Sequence, residues 1–303
     1  MIPAPHRGSA ARFHSSAPGI RRLVAAALAL AATVRTASAS AASPRSIDTL
    51  TVVTLNLWND QHDWPRRLNV IVAELRRLHP DVVCLQEVLQ NPALPNQAET
   101  LGDSLDCHVQ FASVDGPERP KRYGNAILTP HPVLVGEARN LEPADDYRAA
   151  AHVRFAWRGR TVDAYSTHLH HTKEGGAIRA RQIRHLLAWV DSTRGSGPVV
   201  LGGDFNCELA SPELALVRAR YVDAFHAVHL GAGREESATY NARFGVDPGA
   251  IDHVFVEKPA HRLRPLACEI LFREPAVDSV WASDHYGVLA RLAATPVSRQ
   301  GKR

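Results

Sequence analysis

The sequence predicts one domain of the α/β class over residues 49–294, and three observations lead there. Apolar, β-branched runs open and close the segment. Two stretches with helical apolar spacing lie between such runs. No fixed-period repeat and no linker rich in Gly, Ser or Pro divides it. A chain of 303 residues with 45% hydrophobic and 22% charged content can bury a large core, which argues against disorder.

The elements follow in chain order. "TLTVVTLNLW" (49–58) reads as a buried strand. In "PRRLNVIVAELRRLH", Leu68, Ile71, Val72, Leu75 and Leu78 keep one helical face, and Pro65 suits a first turn. "PDVVCLQEV" is a second strand, so strand, helix and strand suggest a parallel pair. "AILTPHPVLVGEARNL", "AAAHVRFAWRGRTVDAYSTHL" and "PVVLGGDFN" add strands, with a hairpin at "WRGR". A helix is expected between Lys173 and Asp191, and a short one at "SPELALV", capped by Ser211. Residues 231–250 read as a long polar loop, and "AIDHVFVEK" and "DHYGVLARL" as late strands.

Residues 1–41 have a different character. They carry Arg7, Arg12, Arg21, Arg22 and Arg35 without Asp or Glu, then the apolar run Leu23–Val34, then Ala37-Ser38-Ala39. This pattern predicts a secretory signal peptide cut near 39–41, hence an exported, periplasmic or secreted protein. The 12-residue run is short of the roughly 20 residues that a membrane span needs. The Arg pair is a weak form of a twin-arginine signal. Removing the leader leaves 30 Lys+Arg against 31 Asp+Glu, a net charge of −1 in place of +4. The expected mature chain thus lacks the basic excess of a nonspecific DNA binder. Residues 295–303 are expected to be a disordered tail, and the protein a monomer. The four cysteines, Cys84, Cys107, Cys207 and Cys268, allow one disulfide without assigning it.

Several apolar strands run into polar residues: Asn56, Glu87, His168, Asp204 with Asn206, and Asp252 with His253, while Asp284 and His285 precede the last strand. Charges at strand ends cost desolvation unless paired or metal-bound. Their repetition predicts a shared cleft at one sheet rim. In "GGDFN", alternation along a strand would aim Asp204 and Asn206 to one face. His168 and His170 in "HLHH" also alternate, as a zinc pair could, but no third ligand has a telling spacing.

"TLNLW", "LQEV", "YGNAILT", "STHL", "GGDFN", "IDHVF" and "SDHYGV", in this order from Thr51 to Leu292, resemble the motifs of the endonuclease/exonuclease/phosphatase superfamily. The resemblance implies a four-layered α/β sandwich, two mixed β-sheets packed face to face with helices outside. It implies a metal site at Asn56, Glu87 and Asp284, and catalytic roles for His168, Asp204, Asn206, Asp252 and His285, with His285 the general base oriented by Asp252. Tyr123 and Asn125 match a looser motif near the phosphate. His170, His171, Lys173 and Arg179, just past a catalytic strand, are candidate substrate readers. Oxygen ligands suit Mg²⁺, or Mn²⁺, which would neutralise phosphoryl charge while a base activates water. The expected substrate is a small or lipid-borne phosphoester, a membrane lipid among them. Nucleic acid is the alternative, and a non-catalytic binding module is the third reading.

Overall fold

A computed structural model describes residues 48–245, 249–258 and 262–295. The expected signal peptide and most of the expected tail lie outside the described residues.

The first strand, β1 (Thr49–Asn56), leads through a short loop into α1 (Trp64–Leu78) and returns as β2 (Val82–Gln90), parallel to β1. The Asp63 side chain accepts from the Arg66 amide at 3.2 Å and starts α1, with Pro65 in the first turn. The helix stops at His79, which takes a left-handed conformation. Its Ile71, Val72, Leu75 and Leu78 are buried, each worth roughly 1.5–3 kcal/mol by apolar transfer. Next come α2 (Gln97–Leu105), β3 (His108–Ser113), β4 (Arg122–Thr129) and β5 (Val133–Asn140). The hairpin β6 (Ala149–Trp157) and β7 (Arg160–His168) turns at Arg158-Gly159, both at positive φ, as a tight hairpin requires. Helix α3 (Gly176–Thr193) precedes β8 (Val199–Asp204). The remainder is α4 (Ala215–Arg220), β9 (Tyr221–Asp223), α5 (Ala224–Val228), α6 (Arg234–Ser237), β10 (Asp252–Glu257), β11 (Leu263–Leu271) and β12 (Gly287–Ala294).

Among the described residues these strands form two six-stranded sheets, β11-β12-β1-β2-β4-β3 and β5-β6-β7-β8-β10-β9. Both are mixed, since β1/β2 and β7/β8 are parallel and their neighbours antiparallel. Three apolar clusters mark the layers. One joins α1 and α2 to the outer face of the first sheet through Ile71, Leu75, Leu101 and Leu85. One lies between the sheets, with Val52, Cys84, Ala164 and Val254. One joins α3 and α4 to the second sheet through Ile183, Leu187, Val217 and Leu201. The order is helix, sheet, sheet, helix, the expected sandwich.

Several local expectations change. Glu87 does not end a strand: β2 continues to Gln90, and Glu87 sits at a bulge with φ of 54°. Ser211 makes no side-chain cap. The 231–250 segment contains α6 and a 3₁₀ turn at Ala242–Phe244. All four cysteines are free, and burial lifts the Cys84 and Cys207 thiols to about 12.

Candidate active site

Strand register assembles half of the site. Asp204, the last residue of β8, pairs with His168 of β7 on one side and with Asp252 of β10 on the other. The first sheet contributes Asn56 at the end of β1, and the turn before β12 carries Asp284 and His285. The Asn56 amide bridges the sheets, donating to Glu87 Oε1 at 3.2 Å and to Asp204 Oδ2 at 3.1 Å. Ser283 Oγ donates to the Asn56 carbonyl at 2.7 Å and receives the His285 amide at 3.1 Å, fixing that turn against β1.

The rim opens into a cavity of about 450 Å³ lined by Glu87, Tyr123, His168, Asp204, Asn206, Asp284 and His285, together with Tyr147, Arg148, His171 and Tyr240. His285 Nδ1 donates to Asp252 Oδ2 at 2.9 Å, while its Nε2 lies 3.9 Å from Asp204 Oδ2. Burial opposes charge on this ring, but Asp252, Asp204 and Asp284 outweigh it and lift His285 to about 10. Burial, reinforced by Asp252, raises Asp204. His168 is held well below its usual range by burial, then by Arg148; its Nε2 is 3.5 Å from Asp204 Oδ2. Tyr240 stacks beside His285 at 4.6 Å between ring centroids.

Asn206 reaches the cavity by a different route from strand alternation. Its φ is 52°, and its amide donates to Asp204 Oδ1 at 2.9 Å, closing a local turn past the strand end. Its side-chain amide donates to the Leu169 carbonyl at 2.9 Å. Gly203 permits the close strand approach: a Cβ there would lie 2.1 Å from the Thr167 carbonyl oxygen.

Three expected substrate contacts have other partners. Asn125 is buried and donates to the Ala149 carbonyl at 2.6 Å, tying β4 to β6. Arg179 is buried against Glu213 at 2.8 Å and donates to the carbonyls of His170 and Thr172. His170 bonds Asp146 at 2.6 Å and Thr172 at 2.8 Å. His170 thus faces Asp146, whereas His168 lies beside Asp204, so the two rings face different acids and give the zinc alternative no support. Sequence reasoning missed Asn59, which holds Glu87 Oε2 at 3.0 Å, as well as Arg148, Tyr147 and Tyr240. All four lie in loops, where no periodic signal marks them.

The donor set suits a divalent cation. Glu87 and Asp284 face one cavity, and the Asn56 and Asn59 amides orient the Glu87 carboxylate. Burial, with Glu87 and Asp252 adding to it, lifts Asp284 to about 6 despite His285 and Ser283. A half-buried carboxylate whose charge is disfavoured by burial and by a neighbouring acid is what a hard cation relieves. Asp204, Asp252 and His285 also offer ligand atoms within 4.8 Å of one another, but His285 Nδ1 and Asp252 Oδ2 are spent on each other. Glu87 and Asp284, backed by Asn56, are therefore the residues that would hold the ion.

Residues 53–285 match the model of a family described as the Endonuclease/Exonuclease/phosphatase family. The chain is 27% identical over 201 residues to protein angel homolog 2 of Danio rerio, covering 58% of this chain and 33% of that protein. It is 29% identical over 200 residues to Nocturnin of Drosophila melanogaster, covering 60% and 30%. The match thus spans about a third of the length of these curated relatives. A 162-residue stretch, 53% of this chain, is also 31% identical to a Bordetella avium protein named N-(5'-phosphoribosyl)anthranilate isomerase, of which it covers 69%. Among solved structures, D. rerio TDP2 complexed with single-strand DNA product superposes with a TM-score of 0.68 at 20% identity, over 81% of this chain and 99% of that one. An endonuclease/exonuclease/phosphatase from Bacteroides vulgatus gives 0.67 at 22% identity, over 82% and 99%. At these identities the structural likeness shows the fold.

Proposed function

The chain belongs to the endonuclease/exonuclease/phosphatase family, and on that premise we propose that it is a Mg²⁺- or Mn²⁺-dependent hydrolase that attacks phosphorus with water, acting on a small or lipid-borne phosphoester inside the cleft. The observation that carries this reading is the buried Asp252–His285 pair, whose Nε2 opens toward Asp204 in the same cavity as Glu87 and Asp284. Asp252 holds His285 in one tautomer, so Nε2 is the atom that exchanges a proton with water. Asp204 orients that water, and Asn206 and Tyr123 contact the phosphoryl or ester oxygens. Arg148, beside His168 and His171, adds positive charge at the opposite wall. Glu87 and Asp284 would hold the cation, which would neutralise charge on the phosphoryl oxygens and offset the Asp284 share of the field on His285.

The alternative reading is a nuclease, favoured by the D. rerio TDP2 structure with its single-strand DNA product. The signal-peptide pattern expected in residues 1–41 supports export, which cell fractionation of tagged protein would test. A phosphoester panel decides the substrate class: plasmid DNA, RNA, sphingomyelin, phosphoinositides and aryl phosphodiesters, each with Mg²⁺ and with EDTA. Turnover of the small or lipid esters is expected, and EDTA should abolish it. Efficient plasmid nicking at sub-micromolar enzyme, collapsing as salt rises, would instead establish the nuclease. Full activity in EDTA would remove the metal from the mechanism.

A further inference from the structure

A second cavity, of about 340 Å³, has a lining distinct from that of the first. Its walls come from the segments that carry the active site. Trp58 follows Asn56 by two residues, Trp281 precedes Asp284 by three, and Phe244 follows Tyr240 by four. The rings touch in series: Trp58 and His62 at 4.5 Å, Trp58 and Phe244 at 4.8 Å, Phe244 and Trp281 at 6.5 Å. Arg243 lays its guanidinium over Trp281 at 5.8 Å. Trp58, Phe244 and Trp281 are all half-buried, so each leaves ring surface open.

The backbone there is strained. Trp58 and His62 on one wall have φ of 55° and 54°, and Asp278 and Ser279 on the other have 62° and 60°. A left-handed tryptophan is a genuine outlier, which persists only where its surroundings enforce it. Arg67 does the enforcing. Its buried guanidinium donates to the carbonyls of Leu57 at 2.7 Å, Asn59 at 2.7 Å, Gln61 at 3.1 Å and Ala282 at 2.9 Å. One side chain thus clamps both lips of the pocket. None of the three rings belongs to the apolar cluster that α1 joins.

We propose that this pocket binds a planar aromatic ring, carried by the group esterified to the phosphate, stacked on Trp58, Phe244 and Trp281 with Arg243 at its edge. The inference rests on the phosphoester reading above and makes the substrate class ring-bearing, a nucleobase or an aryl group. Stacking of one ring is worth about tenfold or more in affinity.

The test is a tryptophan-fluorescence titration of the full chain with adenosine 5′-monophosphate, phenyl phosphate and glycerol 3-phosphate. Each ligand is also tried as a competitor of turnover. Both ring-bearing phosphates, or the nucleotide alone, are expected to bind about tenfold tighter than glycerol 3-phosphate. Phenyl phosphate equal to the nucleotide would assign the pocket to any planar ring, and a nucleotide-only gain would assign it to a base; both support the proposal. In a Phe244→Leu/Trp281→Leu double variant the ring preference should fall to about one, with folding checked by thermal melting. If that variant does not fold, Phe244→Leu alone should halve the preference or more. Equal binding of all three ligands, or a preference unchanged in a folded variant, would overturn the proposal. Turnover without ring preference would leave the hydrolase standing, and ring-dependent quenching without turnover would leave only the pocket.

Discussion

At the scale of single residues, the site sets charges against burial. His285 is buried yet lifted to about 10 by the acids around it, and Asp284 is lifted to about 6 by burial and Glu87. Removing the ring should therefore damage chemistry more than folding. His285→Ala is expected to lower kcat by roughly 10²–10⁴, the scale of lost acid–base catalysis. Asp252→Asn should cost less, because the amide still occupies the Nδ1 side. Single-turnover rates check both, and a wild-type kcat in His285→Ala would exclude the ring. Glu87→Gln tests the cation separately. Saturating Mn²⁺ at about 100 Kd should stabilise the wild type by ~2.7 kcal/mol, read as a raised melting temperature. In Glu87→Gln that rise should largely vanish. Asp204, Asp252, Asp284 and His285 were legible because each sits in a short motif whose residue types the chemistry dictates. Arg179 misled because its partner Glu213 lies 34 residues away, a distance no local pattern shows. Tyr240 and Asn59 were illegible because an isolated β-bridge brings the first to His285 and a loop turn brings the second to Glu87, neither of which a local pattern shows.

At the scale of elements, the paired glycines of "GGDFN" are packing constraints. A Cβ on Gly202 would lie 2.7 Å from Cys84 Sγ across the sheet interface, and one on Gly203 would lie 2.1 Å from a backbone oxygen of β7. The second neighbour cannot swing away, so Gly203→Ala must push β8 from β7 at the point where Asp204 and His168 pair. A loss of about 1–3 kcal/mol is expected, the scale of overpacking, with a fall in kcat as well. Urea unfolding measures the first. Gly159→Asn is the control: its hairpin turn has nothing within 4 Å of a new Cβ, and Asn tolerates positive φ. An unaltered urea midpoint in Gly203→Ala would refute this account. Strands bounded by strong apolar runs were readable, as were α1 and α3. The edge strand β11 was not, since Pro265 interrupts its pattern and shifts its register against β12. Helix α2, "QAETLGDSL", is too polar and short for its periodicity to stand out.

At the scale of the whole molecule, two sheets meet at one rim and a buried charge network braces that meeting from behind. Asp223, ending β9, accepts from His253 Nδ1 at 2.9 Å, and His253 Nε2 faces the Cys207 carbonyl at 3.1 Å. Asp223 and the Cys207 carbonyl both accept, so the imidazolium, with a proton on each ring nitrogen, is the form that satisfies both. The shifts agree. Burial opposes it, yet Asp223 raises His253 above its usual value, and burial likewise opposes the depression of Asp223 that His226 and His253 bring about. The sign follows by linkage. The His253 contribution is complete below the unfolded value near 6.5 and is lost as pH rises through the higher folded value. The Asp223 contribution is complete above the unfolded value near 3.8 and is lost as pH falls through the lower folded one. The pair should stabilise most between roughly pH 4 and 6.5. Melting temperatures of wild type and Asp223→Asn, measured from pH 3 to 10, should differ most in that window and converge on its alkaline side. A constant difference across the range would mean that Asp223 stabilises by packing alone. Because Cys207 follows Asn206, loss of the imidazolium should also loosen the turn that carries Asn206 into the cavity. Activity with a fixed saturating metal should then decline over the same alkaline range in which stability is lost, and His253→Gln, which keeps two polar ends but no charge, should flatten that part of the stability profile.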